Sequence, residues 1–170
     1  NYSAAAEWPP YKMEQVMEKL AGGCACGAAR YELSTTPLIV HACHCRDCQR
    51  ITGGPFVINI WIERRFVGTN GAKLGSFELR GGSEKPHEVF FCPTCGVFVW
   101  SRYAIAPGDC LFVRAGTLDR PDRIKPDVHI FTRTKLPWIE LPKDALAFES
   151  IYTIADVWPP SSLERLRAAS

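Results

Sequence analysis

Positive charge never gathers in this chain. No run of Lys or Arg exceeds the pair Arg64-Arg65, and the formal net charge of the 170 residues is only +2. A nucleic-acid binder ordinarily carries a basic stripe, so no nucleic-acid partner is expected. Long apolar runs are missing too: nothing approaches the ~18 apolar residues of a membrane span, and no membrane partner is expected. The first residues lack a basic region followed by an apolar core, so no signal peptide is read there, and a cytoplasmic location is the expectation. Apolar residues at helical spacing are nowhere sustained over about twelve positions. There is no internal repeat, low-complexity tract or domain linker. The hydrophobic fraction of 46% is that of a globular protein with a sizeable core.

What the chain does have is cysteine. Seven of its eight cysteines fall into three tight groups: Cys24-Ala25-Cys26, Cys43-His44-Cys45-Arg46-Asp47-Cys48, and Cys92-Pro93-Thr94-Cys95-Gly96. Only Cys110 stands alone. Disulfide frameworks belong mostly to much shorter chains that lack a core. Cys-x-Cys and Cys-x-x-Cys pairs instead suit metal ligation in a reducing compartment.

Residues 1–20 read as a peripheral segment: Trp8-Pro9-Pro10 blocks regular structure, and 13–20 is either a short helix or a strand. Residues 21–150 read as one zinc-binding β domain, and 151–170 as a C-terminal extension. Short β-branched and aromatic runs broken by Gly and Pro predict strands over 28–33, 38–42, 56–62, 72–79, 88–91, 97–101, 111–115, 128–132 and 145–150. Asn70-Gly71 and Gly81-Gly82 read as tight turns. In the tail, Ser161 with Glu164 three residues on reads as a capping box for a short helix over 162–168, packed through Leu163 and Leu166. The class is all-β, with a short C-terminal helix.

Two cysteine pairs make one closed site. Zinc bonds of about 2.3 Å in tetrahedral geometry put four sulfurs roughly 3.8 Å apart, whereas alternate residues of an extended strand are about 6.6 Å apart. Cys24 and Cys26 therefore need a local bend, which Gly22-Gly23 and Gly27 permit. Cys92 to Gly96 is a tight knuckle in which Gly96 can take a positive φ and turn amides toward the sulfurs. Closing the loop between the pairs costs roughly 4 kcal/mol, well below the about 10–16 kcal/mol of a structural zinc. Cys24, Cys26, Cys92 and Cys95 are thus read as a structural zinc site.

Cys43, Cys45 and Cys48 supply three thiolates and leave one position open or water-filled. The alternative is a fourth protein ligand: His41, His44, His87, His129 or Cys110. His44 is a poor choice, lying between two ligands and projecting away from the metal they share. Three thiolates give zinc a net charge of −1, so the site suits a soft substrate thiol held deprotonated better than hydroxide generation. Arg46 and Arg50 can pair with substrate carboxylates, and the loop Thr52-Gly53-Gly54-Pro55 can offer backbone N–H groups. Asp47 is read as a turn residue accepting local amide bonds rather than as a general base.

These pieces, with Phe91-Cys92-Pro93-Thr94-Cys95-Gly96, Trp100, Ala115-Gly116-Thr117-Leu118-Asp119 and His129-Ile130-Phe131-Thr132-Arg133-Thr134-Lys135-Leu136-Pro137-Trp138, resemble the glutathione-dependent formaldehyde-activating enzyme family, also called the centromere protein V type, in the family's order over roughly residues 20–140. The resemblance implies a β-tent-like fold, small antiparallel sheets assembled around zinc, and two zinc ions per chain, one structural and one on Cys43, Cys45 and Cys48. It also implies a carbon–sulfur lyase of the S-(hydroxymethyl)glutathione synthase kind, which joins glutathione, or another small thiol, to formaldehyde or a related aldehyde. The thiol would lose its proton and attack the aldehyde carbon, with a loop N–H near Gly53 or the His44 imidazole as donor to the developing alkoxide. The competing readings are a non-catalytic zinc-stabilised β module for protein interaction, and a zinc-buffering or redox role for the Cys43 cluster.

Overall fold

The computed structural model describes residues 19–169, and the expectations for 1–18 lie outside the described residues. Ten strands follow one another: β1 (Leu20–Gly23), β2 (Ala29–Leu33), β3 (Ile39–Cys43), β4 (Val57–Glu63), β5 (Val67–Gly71), β6 (Gly75–Arg80), β7 (Pro86–Phe91), β8 (Phe98–Tyr103), β9 (Cys110–Arg114) and β10 (Val128–Ile130). A one-to-two-turn helix α1 (Arg46–Thr52) separates β3 from β4, and α2 (Ile154–Val157) and α3 (Pro160–Arg167) close the chain. The strands form a three-stranded sheet, β1-β2-β5, and a seven-stranded sheet, β10-β3-β4-β9-β8-β7-β6. Every ladder is antiparallel except β10 on β3, which is parallel.

Burial follows the strand period where one face is wet. In β2, Ala29, Tyr31 and Leu33 point inward, while Arg30 and Glu32 alternate with them on the outer face. β3 is buried at all five positions because it lies mid-sheet with both faces covered. One face packs Val40, Ile60, Ile62 and Val113 against Tyr31 and Leu33 of the smaller sheet. Each such fully buried aliphatic side chain contributes about 1.5–3 kcal/mol. The opposite face packs Ile39, Val57 and Trp61 against Trp158 and Leu166 of the tail. There Tyr152 Oη sits 2.6 Å from His41 Nε2 and accepts from Trp158 Nε1 at 2.9 Å.

Four local expectations are corrected. Residues 145–150 form no strand; only an isolated bridge joins Ala147 to His129, since Pro142 and the turn after it keep the segment irregular. Asn70-Gly71 does not join two paired strands: β5 belongs to the small sheet and β6 to the large one, so the chain changes sheets there. The expected strand over 72–79 is really β6, and β5 before it has a face too polar to show the apolar alternation. The capping box is absent, because α3 starts at Pro160, whose fixed φ suits the first turn, and Ser161 lies inside the helix. Gly81-Gly82 does fall in the β6–β7 connection.

Helix α3 is clamped by charge as well as by Leu166. Glu63, at the end of β4, is fully buried and accepts from Arg165 Nε at 3.1 Å and Nη2 at 2.5 Å. Arg65 stands 3.8 Å away as a weaker second partner. Removing one side of a buried pair leaves an uncompensated charge, which costs far more than the pair itself contributes. Arg165→Ala should therefore lower unfolding free energy by about 3 kcal/mol in urea titrations, and Glu63→Leu combined with Arg165→Met should recover most of it. A loss below about 1 kcal/mol, the scale of a surface pair, would show that the clamp does not hold the helix.

Candidate metal centres

The first cluster bridges the two sheets. Cys24 and Cys26 sit on the turn leaving β1, and Cys92 and Cys95 on the turn between β7 and β8. Cys24 Sγ is 3.5 Å from Cys26 Sγ, which is 3.8 Å from Cys92 Sγ, and all four sulfurs lie within 4.8 Å of one another. The bend comes from Gly27 at φ +76°, with its N–H on the Cys24 carbonyl at 3.0 Å. Gly96, at φ +73°, tightens the other turn, its N–H reaching the Cys92 carbonyl at 2.8 Å. The Ala29 amide donates to Cys24 Sγ at 3.3 Å, and this hydrogen bond is the largest cause lowering that thiol to about 6. Amides of Val97 and Cys26 lower Cys95 in the same way. The backbone is thus arranged for thiolate, which is the ligand form of cysteine.

The second cluster is assembled where β3 hands over to α1. Cys43 ends the strand, Cys45 is the N-cap of the helix, and Cys48 lies in its first turn. The Cys45 sulfur accepts the Cys48 amide at 3.3 Å, so it both caps the helix and faces its neighbours. All three sulfurs lie within 4.8 Å of one another, with Cys43 and Cys48 buried. Without a cation they cannot all ionise. Hydrogen bonds from Cys43 and Cys48 lower Cys45, while the same contacts and burial hold Cys43 well above a free thiol.

Among the described residues no fourth side chain completes this group: none of His41, His44, His87, His129 and Cys110 shares the 4.8 Å neighbourhood of the three sulfurs. His41 is engaged with Tyr152, and burial lowers it to about 3. His87 packs on the Tyr103 ring, and Cys110 is buried in the core. His44 is fully buried with Nε2 3.1 Å from His129 Nδ1, its ring tilted against Phe56, and its Nδ1 without a partner among the described residues. Burial first, then His129 and Lys135, lowers it to about 4, so it stands as a neutral imidazole.

Arg46, Gln49 and Arg50 of α1 line a cavity of about 320 Å³ with Gly53, Leu136 and the exposed Trp138. Arg46 donates to the Gln49 side-chain carbonyl. Thr52 Oγ1 donates to the Cys48 carbonyl at 2.8 Å. The loop amides are not free donors as expected: Gly53 N–H caps α1 on the Gln49 carbonyl at 2.8 Å, and Gly54 N–H reaches Thr52 Oγ1 at 3.4 Å. Asp47 is also corrected. Its Oδ2 accepts the Gly82 amide at 2.8 Å, a bond across 35 positions that ties the β6–β7 connection to α1.

Sequence reasoning missed Gln49, Asn59, Ser101 and Arg114. Gln49 Nε2 donates to the carbonyls of His44 at 2.7 Å and Thr134 at 3.0 Å, fastening α1 to the 132–138 segment. Asn59 and Arg114 interrupt otherwise apolar strands, the one signal by which they could have been found.

The class defined here is a β protein with two thiol clusters, each able to hold a metal ion. The profile of the glutathione-dependent formaldehyde-activating enzyme family matches residues 19–134, and the chain belongs to that family. Among solved structures it is similar to a Rhodobacter sphaeroides protein at 21% identity and a TM-score of 0.48, covering 62% of this chain and 96% of that one. No curated protein matches. No described helix is long and apolar enough to cross a membrane.

The two clusters should respond differently to loss of a ligand. In the metal-loaded protein, Cys95→Ser weakens the link between the two sheets and should cost about 4 kcal/mol or more. Cys48→Ser, within one sheet and its adjoining helix, should cost clearly less. Equal depression of the two melting temperatures would remove the distinction.

Proposed function

We propose that the chain is a carbon–sulfur lyase that joins a small thiol such as glutathione to formaldehyde or a related aldehyde, with two zinc ions per chain. The observation that carries this reading is the group of three sulfurs on Cys43, Cys45 and Cys48, which no fourth ligand joins among the described residues; Arg46 and Arg50, on the helix that Cys45 caps, line a cavity. Family membership supports the same chemistry. The all-sulfur donor sets favour zinc over harder cations. A three-thiolate zinc would supply a position at which a substrate sulfur is favoured as thiolate.

The chain's own residues then orient the thiol. Arg46 and Arg50 can hold substrate carboxylates through paired N–H donors, and Trp138 offers a flat apolar wall. The loop amides already serve the helix cap, so the donor to the developing alkoxide is sought among side chains. His44 remains a candidate, neutral and with an unpartnered Nδ1. Cys24, Cys26, Cys92 and Cys95 hold the structural zinc in this reading. The many reduced thiols suit the cytoplasm.

Calorimetry on the zinc-loaded protein tests the proposal. Glutathione should bind in the millimolar range or tighter, about −4 kcal/mol or stronger, with an observed enthalpy that varies linearly with buffer ionisation enthalpy, the slope reporting the proton released. S-methylglutathione, whose sulfur carries no removable proton, should bind far more weakly and release none. Equal affinity for both, or none for either, would leave a metal-stabilised interaction module as the better reading.

A further inference from the structure

Arg114, the last residue of β9, is 4% exposed, and no described carboxylate pairs with it. Nη1 donates to the Asn59 side-chain carbonyl and Nη2 to Ser101 Oγ at 3.2 Å, while Nε has no hydrogen-bond partner. Both acceptors are neutral. A buried charge with only neutral partners is unfavourable, and arginine cannot shed its proton as a buried lysine can. Some nearby group must compensate it.

The ladders show where that group lies. Cys43 stands opposite Val57, and Asn59 opposite Arg114. Facing residues point to the same side, and residues two apart on a strand share a face. Cys43, Val57, Asn59 and Arg114 therefore lie on one face of the large sheet. Ser101, opposite Phe112, lies there as well. Cys48 packs in the same buried cluster as Cys43 and Val57. Arg114 and Val57 also line one cavity with Thr52, whose Oγ1 donates to the Cys48 carbonyl at 2.8 Å, and burial disfavours the guanidinium charge.

We propose that Arg114 is the built-in counter-charge of the Cys43–Cys45–Cys48 centre, held beside it by Asn59 and Ser101. The inference rests on reading that cluster as a metal centre. A divalent ion on three thiolates carries −1, and the guanidinium makes the whole neutral. A fourth, anionic sulfur then lowers the local charge only to −1 rather than to −2, so Arg114 makes the centre receptive to thiolates without touching them. It is a positioning residue for charge.

Zinc binding by the full chain tests this through competition with a chromophoric chelator, which resolves two dissociation constants. Arg114→Met should weaken the second centre by about tenfold or more, the usual effect of removing an outer partner of a metal site, and leave the Cys24 centre unmoved. Arg114→Lys, which keeps the charge, should recover most of the affinity. With Co²⁺ in place of zinc, the sulfur-to-metal charge-transfer band of the second centre should shift in the Met variant and not in the Lys variant. If Arg114→Met does not fold, Arg114→Gln removes the charge while keeping hydrogen-bonding capacity, and is held to the same expectations.

An unchanged second constant in the neutral variant overturns the role and makes Arg114 a wall residue of the adjoining cavity, which it lines with Thr52, Phe56 and Phe98. Equal weakening of both centres, unrescued by lysine, overturns it in favour of packing. A wild-type chain that takes up only one zinc overturns the second metal centre itself. Two zincs with an unmoved second constant overturn only the counter-charge.

Discussion

Thiolates repel one another, and this chain forces seven cysteine sulfurs into two spaces each less than 5 Å across. Nothing about the backbone alone makes that favourable. In the absence of a cation the thiols hold protons unequally, as the opposite shifts of Cys43 and Cys45 show. Both clusters are therefore suited to a cation from outside the chain, and the strands, turns and helix caps around the sulfurs make sense as devices for bringing them to one point. A metal that binds only the folded arrangement stabilises it by mass action.

The β architecture supplies the two points by different means. The first is a meeting of two turns, one from each sheet, so a metal there acts as a rivet between layers that otherwise touch through Tyr31, Leu33 and their neighbours. The second needs only one strand end and one helix start, because an N-cap cysteine and the residue three beyond it point to the same side. The first depends on long-range topology. The second is almost local, and the surrounding fold mainly buries it and places α1 against the 132–138 segment through Gln49 and Thr134.

How much of this is legible in the sequence follows from the range of each interaction. Cysteine spacing is a local signal with a strong chemical meaning, so the amino-acid order alone groups both clusters. The strands 28–33, 38–42, 56–62 and 111–115 are legible because apolar periodicity is equally local. The failures are long-range. Asp47 reads as serving its own turn, but its acceptor is used by Gly82. The donors of Gly53 and Gly54 look free because a seven-residue helix has too few turns to show a period. Arg114 looks like the polar end of an apolar strand, since its partners, Asn59 and Ser101, are on other strands.

The surroundings of the two clusters also differ in dielectric, and that difference orders their chemistry. In the first, Cys24 and Cys92 are buried but Cys26 and Cys95 are exposed, so water and backbone amides reach one side and screen the sulfur charge. Four thiolates can surround one divalent ion there without further help. In the second, Cys43 and Cys48 are buried, and the same charges act on one another through a less polar medium. Three sulfurs are then nearly as many as such a space can hold, and a fourth is best brought by a ligand that can leave again. A half-exposed centre with four protein sulfurs suits permanence. A buried, partly ligated one is where the exchange of a sulfur ligand is energetically finely balanced, which is the property a thiol-handling site requires.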